Sequence, residues 1–133
     1  MSPGIMGLRW FRRKPKAKFR CSLCGKTAGV VELLPRGHAE SLSKSDTICI
    51  SGFIGRERVV VPEAGVPELR AILGRGDAAE LYEFEGLWAP FWCPTCAAVY
   101  CIAHWTVVPE YDEGFFDCSH GFCPKGHKHL IED

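Results

Sequence analysis

The stretch that decides the fold runs Cys93-Pro94-Thr95-Cys96-Ala97-Ala98-Val99-Tyr100-Cys101-Ile102-Ala103-His104. It holds two pairs of soft metal ligands, a C-x2-C pair and a C-x2-H pair, with four residues between them. Two residues between paired ligands allow both side chains to reach one ion from a tight turn, and zinc accepts four such sulfur and nitrogen ligands in a tetrahedron. The stretch therefore predicts metal-binding turns.

Two further ligand groups lie elsewhere in the chain. One is Cys21-Ser22-Leu23-Cys24, followed by Gly25, and the other is Asp117-Cys118-Ser119-His120-Gly121-Phe122-Cys123-Pro124-Lys125-Gly126-His127. The 133 residues include eight cysteines and five histidines, and four ligand groups predict two structural zinc ions.

Three other uses of cysteine fit the sequence less well than zinc does. A secreted disulfide framework would carry a signal peptide, and none is visible in the sequence. A redox C-x2-C site is disfavoured because neither C-x2-C opens a helix within a βαβ pattern. An iron–sulfur cluster more often takes thiolates alone than thiolates with imidazole.

The order of the ligand pairs predicts which of them share an ion. Residues 97–100 predict a short strand after the second pair, and Cys101 opens a helical turn. Such a strand carries the third pair away from the ion that the second pair holds. We therefore expect interleaving, with pairs one and three on one ion and pairs two and four on the other.

The central block C-x2-C-x4-C-x2-H, with Tyr100 just before its third cysteine, resembles FYVE-type cross-brace fingers. RING and B-box domains and the wider treble-clef group resemble it more loosely, and the pattern is also similar to small bacterial zinc proteins of unassigned role. The resemblance implies a first ion held by Cys21, Cys24, Cys101 and His104. It implies a second ion held by Cys93, Cys96, Cys118 and a fourth ligand, for which Cys123 is favoured over His127 and His120.

The sequence also departs from these families. FYVE domains have a basic, histidine-rich run before the second pair, whereas this chain has Leu87-Trp88-Ala89-Pro90-Phe91-Trp92, so their lipid specificity does not carry over. RING domains space their inner pairs differently, so ligase activity is an analogy of class only.

The predicted architecture is α+β: a zinc-stabilised, treble-clef-like cross-brace with a long insert between ligand pairs one and two. Residues 1–20 form a predicted basic arm and 21–133 one zinc-binding domain, with the insert at 25–92 and the finger core at 93–127. Strands are predicted near 30–34, 46–53 and 58–61, and the aromatic segment from Leu87 to Trp92 is expected to be extended. Helix is predicted over 64–85, interrupted at Gly74 and Gly76 and restarted by an Asp77 cap.

Charge is unevenly distributed along a chain whose formal net charge is zero. Residues 1–20 carry seven Lys or Arg and no acidic residue, which leaves nine basic and sixteen acidic side chains in 21–133. No apolar run reaches the roughly 18 residues of a membrane-spanning helix, and we expect a cytoplasmic protein. The expected role is a non-catalytic interaction or adaptor module with a protein partner. The alternative is a factor that binds nucleic acid or an anionic membrane through residues 8–20.

Catalysis is not expected, because eight ligands for two ions leave no open position on zinc and no hydrolase or phosphate-loop motif is present. The alternative enzyme is a small zinc hydrolase that uses surplus histidines, with Glu110, Asp112 or Glu113 as base. The segment Tyr111-Asp112-Glu113-Gly114-Phe115, however, favours a hairpin turn. Cys49 is predicted to be a buried free thiol, and His38 and His129 are predicted at the surface. The aromatic residues near the ligands are expected in the core, with an exposed binding platform as the alternative: Trp88, Phe91, Trp92, Trp105, Phe115 and Phe116.

Overall fold

The computed structural model describes residues 15–133. Most of the predicted basic arm, including Trp10 and Phe11, lies outside the described residues. The last five residues of that predicted arm form a strand, Lys16–Arg20, in which Ala17 and Phe19 are buried. The basic side chains of this strand alternate with the buried ones and are exposed.

Four antiparallel strands form the first sheet, and their order in the sheet is their order in the chain. They are β1 (Lys16–Arg20), β2 (Thr27–Leu34), β3 (Thr47–Ser51) and β4 (Arg56–Val60). The predicted strands near 30–34, 46–53 and 58–61 are confirmed as β2, β3 and β4, and β1 adds an edge strand to them.

Two helices follow the first sheet, as the sequence predicted, but the first continues through Gly74, where an interruption was expected. A 3-10 turn at Glu63–Gly65 leads into α1 (Val66–Arg75), and α2 (Ala78–Phe84) follows after two residues. Gly76 ends α1 with a φ of 65°, a backbone conformation that glycine adopts without strain. Asp77 then caps α2, because its carboxylate accepts a hydrogen bond from the Glu80 backbone N–H.

The buried face of α1 packs on β1 and β2 and closes an apolar core. Its buried side chains are Leu69, Ile72 and Leu73. Phe91, which is fully buried, stacks on Phe19 with ring centroids 4.8 Å apart. Gly29 is required beneath that ring, since a Cβ there would lie 2.5 Å from Phe91.

The rest of the chain alternates short strands with tight turns. The elements are a 3-10 turn at Gly86–Trp88, β5 (Trp92–Cys93), β6 (Ala98–Val99), a 3-10 turn at Ile102–His104, β7 (Thr106–Asp112), β8 (Phe115–Phe122) and β9 (Lys128–Glu132). Strands β5 and β6 form a small hairpin, and β7, β8 and β9 form an antiparallel sheet. The predicted hairpin turn before Phe115 is confirmed at Glu113 and Gly114. The segment from Leu87 to Trp92, expected to be extended, begins instead with a 3-10 turn.

The predicted α+β class is confirmed, and the aromatic residues divide between core and surface. Trp88, Phe91 and Trp105 are buried, so for them the core prediction is correct. Phe115 and Phe116 are 77% and 51% exposed near the tip of the β7–β8 hairpin. Within residues 15–133, no helix is both long and apolar enough to cross a membrane.

Candidate metal centres

The structure brings together the four residues expected at the first ion. Cys21, Cys24, Cys101 and His104 form the N-terminal cluster, and their ligand atoms all lie within 4.8 Å of one another. The sulfurs of Cys24 and Cys101 are 3.6 Å apart, although 77 residues separate them in the chain.

Local backbone geometry explains how these distant pairs meet. Gly25, with a φ of 75°, lets the chain turn back after Cys24, and its N–H bonds to the carbonyl of Cys21. The backbone N–H and the hydroxyl of Ser22 both donate to the carbonyl of Val99, each at 2.8 Å. Because Val99 lies two residues before Cys101, this contact holds the first ligand turn against the third.

A second group of four, the C-terminal cluster, consists of Cys93, Cys96, Cys123 and His127. The sulfurs of Cys96 and Cys123 are 3.8 Å apart. His127 Nδ1 lies 3.7, 3.2 and 3.3 Å from the sulfurs of the three cysteines, taken in chain order. The two clusters thus use alternate ligand pairs along the chain, which is the interleaving that the order of the pairs predicted.

The segment from Cys123 to His127 closes on itself. The Cys123 N–H bonds to the His127 carbonyl, and the His127 N–H points at the sulfur of Cys123, at 3.4 Å. Gly126 has a φ of 86°, a conformation that glycine adopts readily, and this allows the tight turn. The turn places the His127 ring at the cluster, so that His127 takes the place expected for Cys118.

The spacing of the sulfurs fits a tetrahedral ion and not a disulfide. Zinc–sulfur bonds of about 2.3 Å put two sulfurs about 3.8 Å apart at the corners of a tetrahedron. The observed distances are 3.6 and 3.8 Å. A disulfide would need about 2.05 Å, and all eight cysteines carry free thiols. Both clusters therefore fit a zinc ion with three cysteines and one histidine.

The electrostatics of each cluster favour one thiolate in particular. Burial raises the pKa of Cys21, but backbone N–H groups directed at its sulfur, from Cys101, Cys24 and Leu23, lower the pKa to about 6. Cys123 shows the same balance, and N–H groups of His127 and Lys125 lower its pKa to about 7. Amides that stabilise a thiolate also support its binding to a cation.

Two further side chains approach the C-terminal cluster. His129 Nε2 lies 3.2 Å from the sulfur of Cys93, and its ring is half-buried against Trp105. A hydrogen bond to Cys96, together with burial, raises the pKa of Tyr100 to about 12. The predicted surface position of His129 is wrong, because β9 turns this ring inward. Contacts of this kind orient metal ligands from outside the coordination sphere.

Cys118 and His120, expected near the second ion, lie elsewhere. They stand on β8 beside Glu110 of β7 and form a third group, the hairpin cluster. Cys118 lies within β8, opposite Glu110, whereas Cys123 follows the end of that strand. Burial and the negative charges of Glu110, Asp117 and Asp133 raise the pKa of the Cys118 thiol.

The remaining cysteine and histidine lie away from the three groups. Cys49 is buried, as predicted, and burial raises the pKa of its thiol. His38 lies in the loop after β2, where its Nδ1 accepts a hydrogen bond from the Glu40 N–H at 3.0 Å. It is half-buried and not fully exposed as predicted.

The chain belongs to the family described as a domain of unknown function, DUF8328, whose match covers residues 12–133. No curated protein matches the chain, and no solved structure matches it. Nothing in the described residues or in these comparisons points to catalytic activity.

Proposed function

We propose that this protein is a zinc-dependent interaction module whose N-terminal and C-terminal clusters each hold one structural zinc ion. The observation that carries the proposal is the convergence of four ligand atoms within 4.8 Å in each cluster. Four protein ligands complete the tetrahedron of zinc, so neither ion would keep a position for water or substrate. The role proposed for both ions is structural.

The interleaved use of ligand pairs supports a cross-brace arrangement of the two ions. One ion would join the turn after β1 to the turn after β6, and the other would join the β5–β6 hairpin to the turn before β9. Each ion would therefore connect segments that are distant in the sequence.

A protein partner is proposed for the tip of the β7–β8 hairpin. Tyr111, Phe115 and Phe116 are 66%, 77% and 51% exposed there, and the Tyr111 and Phe116 rings pack edge to face. Asp112, Glu113 and Asp117 surround them. Exposed aromatic side chains are enriched where proteins bind one another, and the acidic rim favours a partner that is basic as well as apolar.

Zinc is tested by native mass spectrometry of the full chain, and partner binding by selection from a library of random peptides. We expect two zinc ions per chain and enrichment of peptides that combine basic with apolar residues. Their binding should weaken when Phe115 and Phe116 become serine and should persist in the control Val60→Ser, which changes an exposed apolar residue of β4 outside the metal clusters. Enrichment of acidic peptides, or equal binding by both variants, would contradict the proposed surface.

One observation supports binding to nucleic acid or to an anionic membrane as a second candidate. The edge strand β1 presents Lys16, Lys18 and Arg20 side by side on its exposed face. They continue the basic run that begins at Arg9. A row of this kind suits phosphate groups, whose binding weakens steeply as salt rises.

The test of this candidate uses substitutions, because deleting the basic N-terminal residues would also remove most of strand β1. Full-length protein with Lys16, Lys18 and Arg20 changed to serine is compared with wild type on mixed-sequence RNA and on anionic vesicles. We expect weaker binding and a shallower salt dependence for the variant. If changing Trp10 and Phe11 to serine abolishes binding to vesicles but not to RNA, the target is a membrane. Equal binding by all forms contradicts the candidate.

A further inference from the structure

The hairpin cluster is not used by either of the two proposed zinc sites. Strand register places Glu110 directly opposite Cys118, and His120 lies two residues further on the same face of β8. The neighbouring Ser119 points the other way and is buried. Antiparallel pairing, with a register shift between Glu110 and Tyr111, thus gathers a carboxylate, a thiol and an imidazole on one face of a hairpin.

The three donor atoms converge on one small volume. Cys118 Sγ lies 3.7 Å from Glu110 Oε2 and 3.9 Å from His120 Nδ1, and His120 Nδ1 lies 2.8 Å from Glu110 Oε1. In a tetrahedral zinc site the corresponding ligand–ligand distances are about 3.4 to 3.6 Å. Side-chain shifts below about 1 Å would therefore turn the cluster into three corners of a tetrahedron.

A catalytic relay of the Cys–His–acid type does not fit the same atoms. In such a relay one ring nitrogen faces the nucleophile and the other faces the orienting acid. Here Glu110 and Cys118 both face Nδ1 of His120, so the carboxylate cannot orient the ring for proton transfer from the thiol. Three ligand atoms that lie close together, one each from Glu110, Cys118 and His120, suit a shared cation better.

We propose that Glu110, Cys118 and His120 form a third, exchangeable site for a zinc-like divalent transition-metal ion, with solvent as its fourth ligand. Thiolate, imidazole and carboxylate are all zinc ligands, and two of them would be negative. Asp117 adds negative charge nearby. The Glu110 side chain is 44% exposed, which leaves the site open to solution, and three ligands bind less tightly than four.

Lys128 is the competing cation at this position. Its Nζ lies 4.0 Å from Glu110 Oε1 and provides positive charge when no metal is bound. A metal ion at the site would join β7 to β8 just below the exposed aromatic tip. Occupancy would then stiffen the surface proposed to meet a partner. The metal site itself uses none of the residues of the other two clusters.

The test is a titration of the zinc-loaded full chain with cobalt(II), followed by near-ultraviolet thiolate-to-cobalt absorption. We expect wild type to bind one more equivalent of cobalt than Cys118→Ser does. Cys49→Ser, which removes a buried cysteine outside the cluster, should behave as wild type. His120→Gln should bind the extra cobalt about tenfold more weakly or worse, and Lys128→Met should bind it more tightly.

Zinc release is followed at the same time with a chromogenic chelator, so that cobalt entering a four-ligand cluster is recognised. The proposal is overturned if wild type and Cys118→Ser take up equal cobalt, whether none or one equivalent. The criterion is the difference in cobalt uptake between wild type and Cys118→Ser. It therefore does not depend on how many zinc ions the protein carries at the start. A starting protein with fewer than two zinc ions would contradict the proposed function and leave this comparison standing.

Discussion

The N-terminal and C-terminal clusters have the same ligand types but connect very different parts of the molecule. The closest sulfurs of the N-terminal cluster join residues 77 positions apart, and those of the C-terminal cluster join residues 27 apart. Closing the longer loop in the unfolded chain costs only about 1 kcal/mol more, since this entropy grows with the logarithm of length. Loop length therefore does not decide which cluster matters more for folding.

The apolar core does distinguish the two regions. Residues 15–92 bury a sheet and two helices around residues such as Val31, Leu33, Ile48, Leu69 and Leu81. In residues 93–133 the large buried side chains other than cysteine are Tyr100, Trp105 and Ile131. Most of the buried apolar side chains therefore lie in the first region, and the second relies more on its ligands. Metal coordination supplies folding free energy where apolar burial is scarce.

The largest expected effect is that of removing all metal. A strong chelator should unfold residues 93–133 and expose their cysteines, because the metal that holds their turns together is lost. The first sheet should keep much of its secondary structure. Hydrogen exchange along the chain measures both regions at once, and zinc added back should restore protection. Uniform protection before and after chelation would show that the core alone folds the second region.

Breaking one cluster at a time separates their roles. Cys96→Ala should lose one of two ions and deprotect β7, β8 and β9. Cys24→Ala should also lose one ion, but the loss of protection should centre on the turn after β1 and on the turn at Ile102–His104. Native mass spectrometry counts the ions, and hydrogen exchange locates the change. Identical exchange patterns in the two variants would contradict the division into two regions.

A substitution in the apolar core should destabilise the folded protein without releasing its metal ions. Phe91→Ala deletes a fully buried ring that stacks on Phe19, and should lower the free energy of unfolding by about 3–5 kcal/mol. Urea denaturation of the zinc-loaded protein measures this loss, and both zinc ions should remain bound in the native state. Loss of an ion from the folded variant would mean that the aromatic core positions the ligands as well.

The smallest expected effect concerns Cys49 and pH. Burial and the charge of Glu32 raise the pKa of this thiol above its ordinary value of 9.0. The folded state therefore favours the protonated thiol, and the stability that this adds is present below pH 9 and lost as pH rises through the folded pKa. The difference in unfolding free energy between wild type and Cys49→Ala should be constant from pH 7 to about pH 8 and fall in more alkaline solution. A difference that grows above pH 9 would contradict the assignment.

The sequence predicted the local structure well where single residues control the backbone. Gly76 and Asp77 marked the end of one helix and the start of the next, and the short spacing between ligand pairs two and three predicted interleaving. Residues 16–20 were assigned to an arm because their charges are conspicuous, while the alternation of Ala17 and Phe19 with those charges is the signature of an edge strand.

The spacing of the cysteines and histidines in the sequence did not identify all four ligands of the C-terminal cluster. Cys118 resembled a ligand by composition, but it lies within β8, whereas Cys123 follows the end of that strand. The hairpin turn at Glu113 and Gly114 was predicted, but counting outward from it pairs Glu110 with Asp117. A register shift between Glu110 and Tyr111 places Glu110 opposite Cys118 instead, so the hairpin cluster could not be read from the sequence. The inward position of His129 could not be read either, since it depends on packing against Trp105.

The central claim is that two interleaved clusters each hold one structural zinc ion, and ligand-by-ligand metal counting tests it most directly. Native mass spectrometry is applied to wild type, Cys24→Ala, Cys96→Ala and the double variant after exchange into metal-free buffer. The account predicts two zinc ions, one, one and none. Two ions retained in either single variant, or fewer than two in wild type, would contradict it.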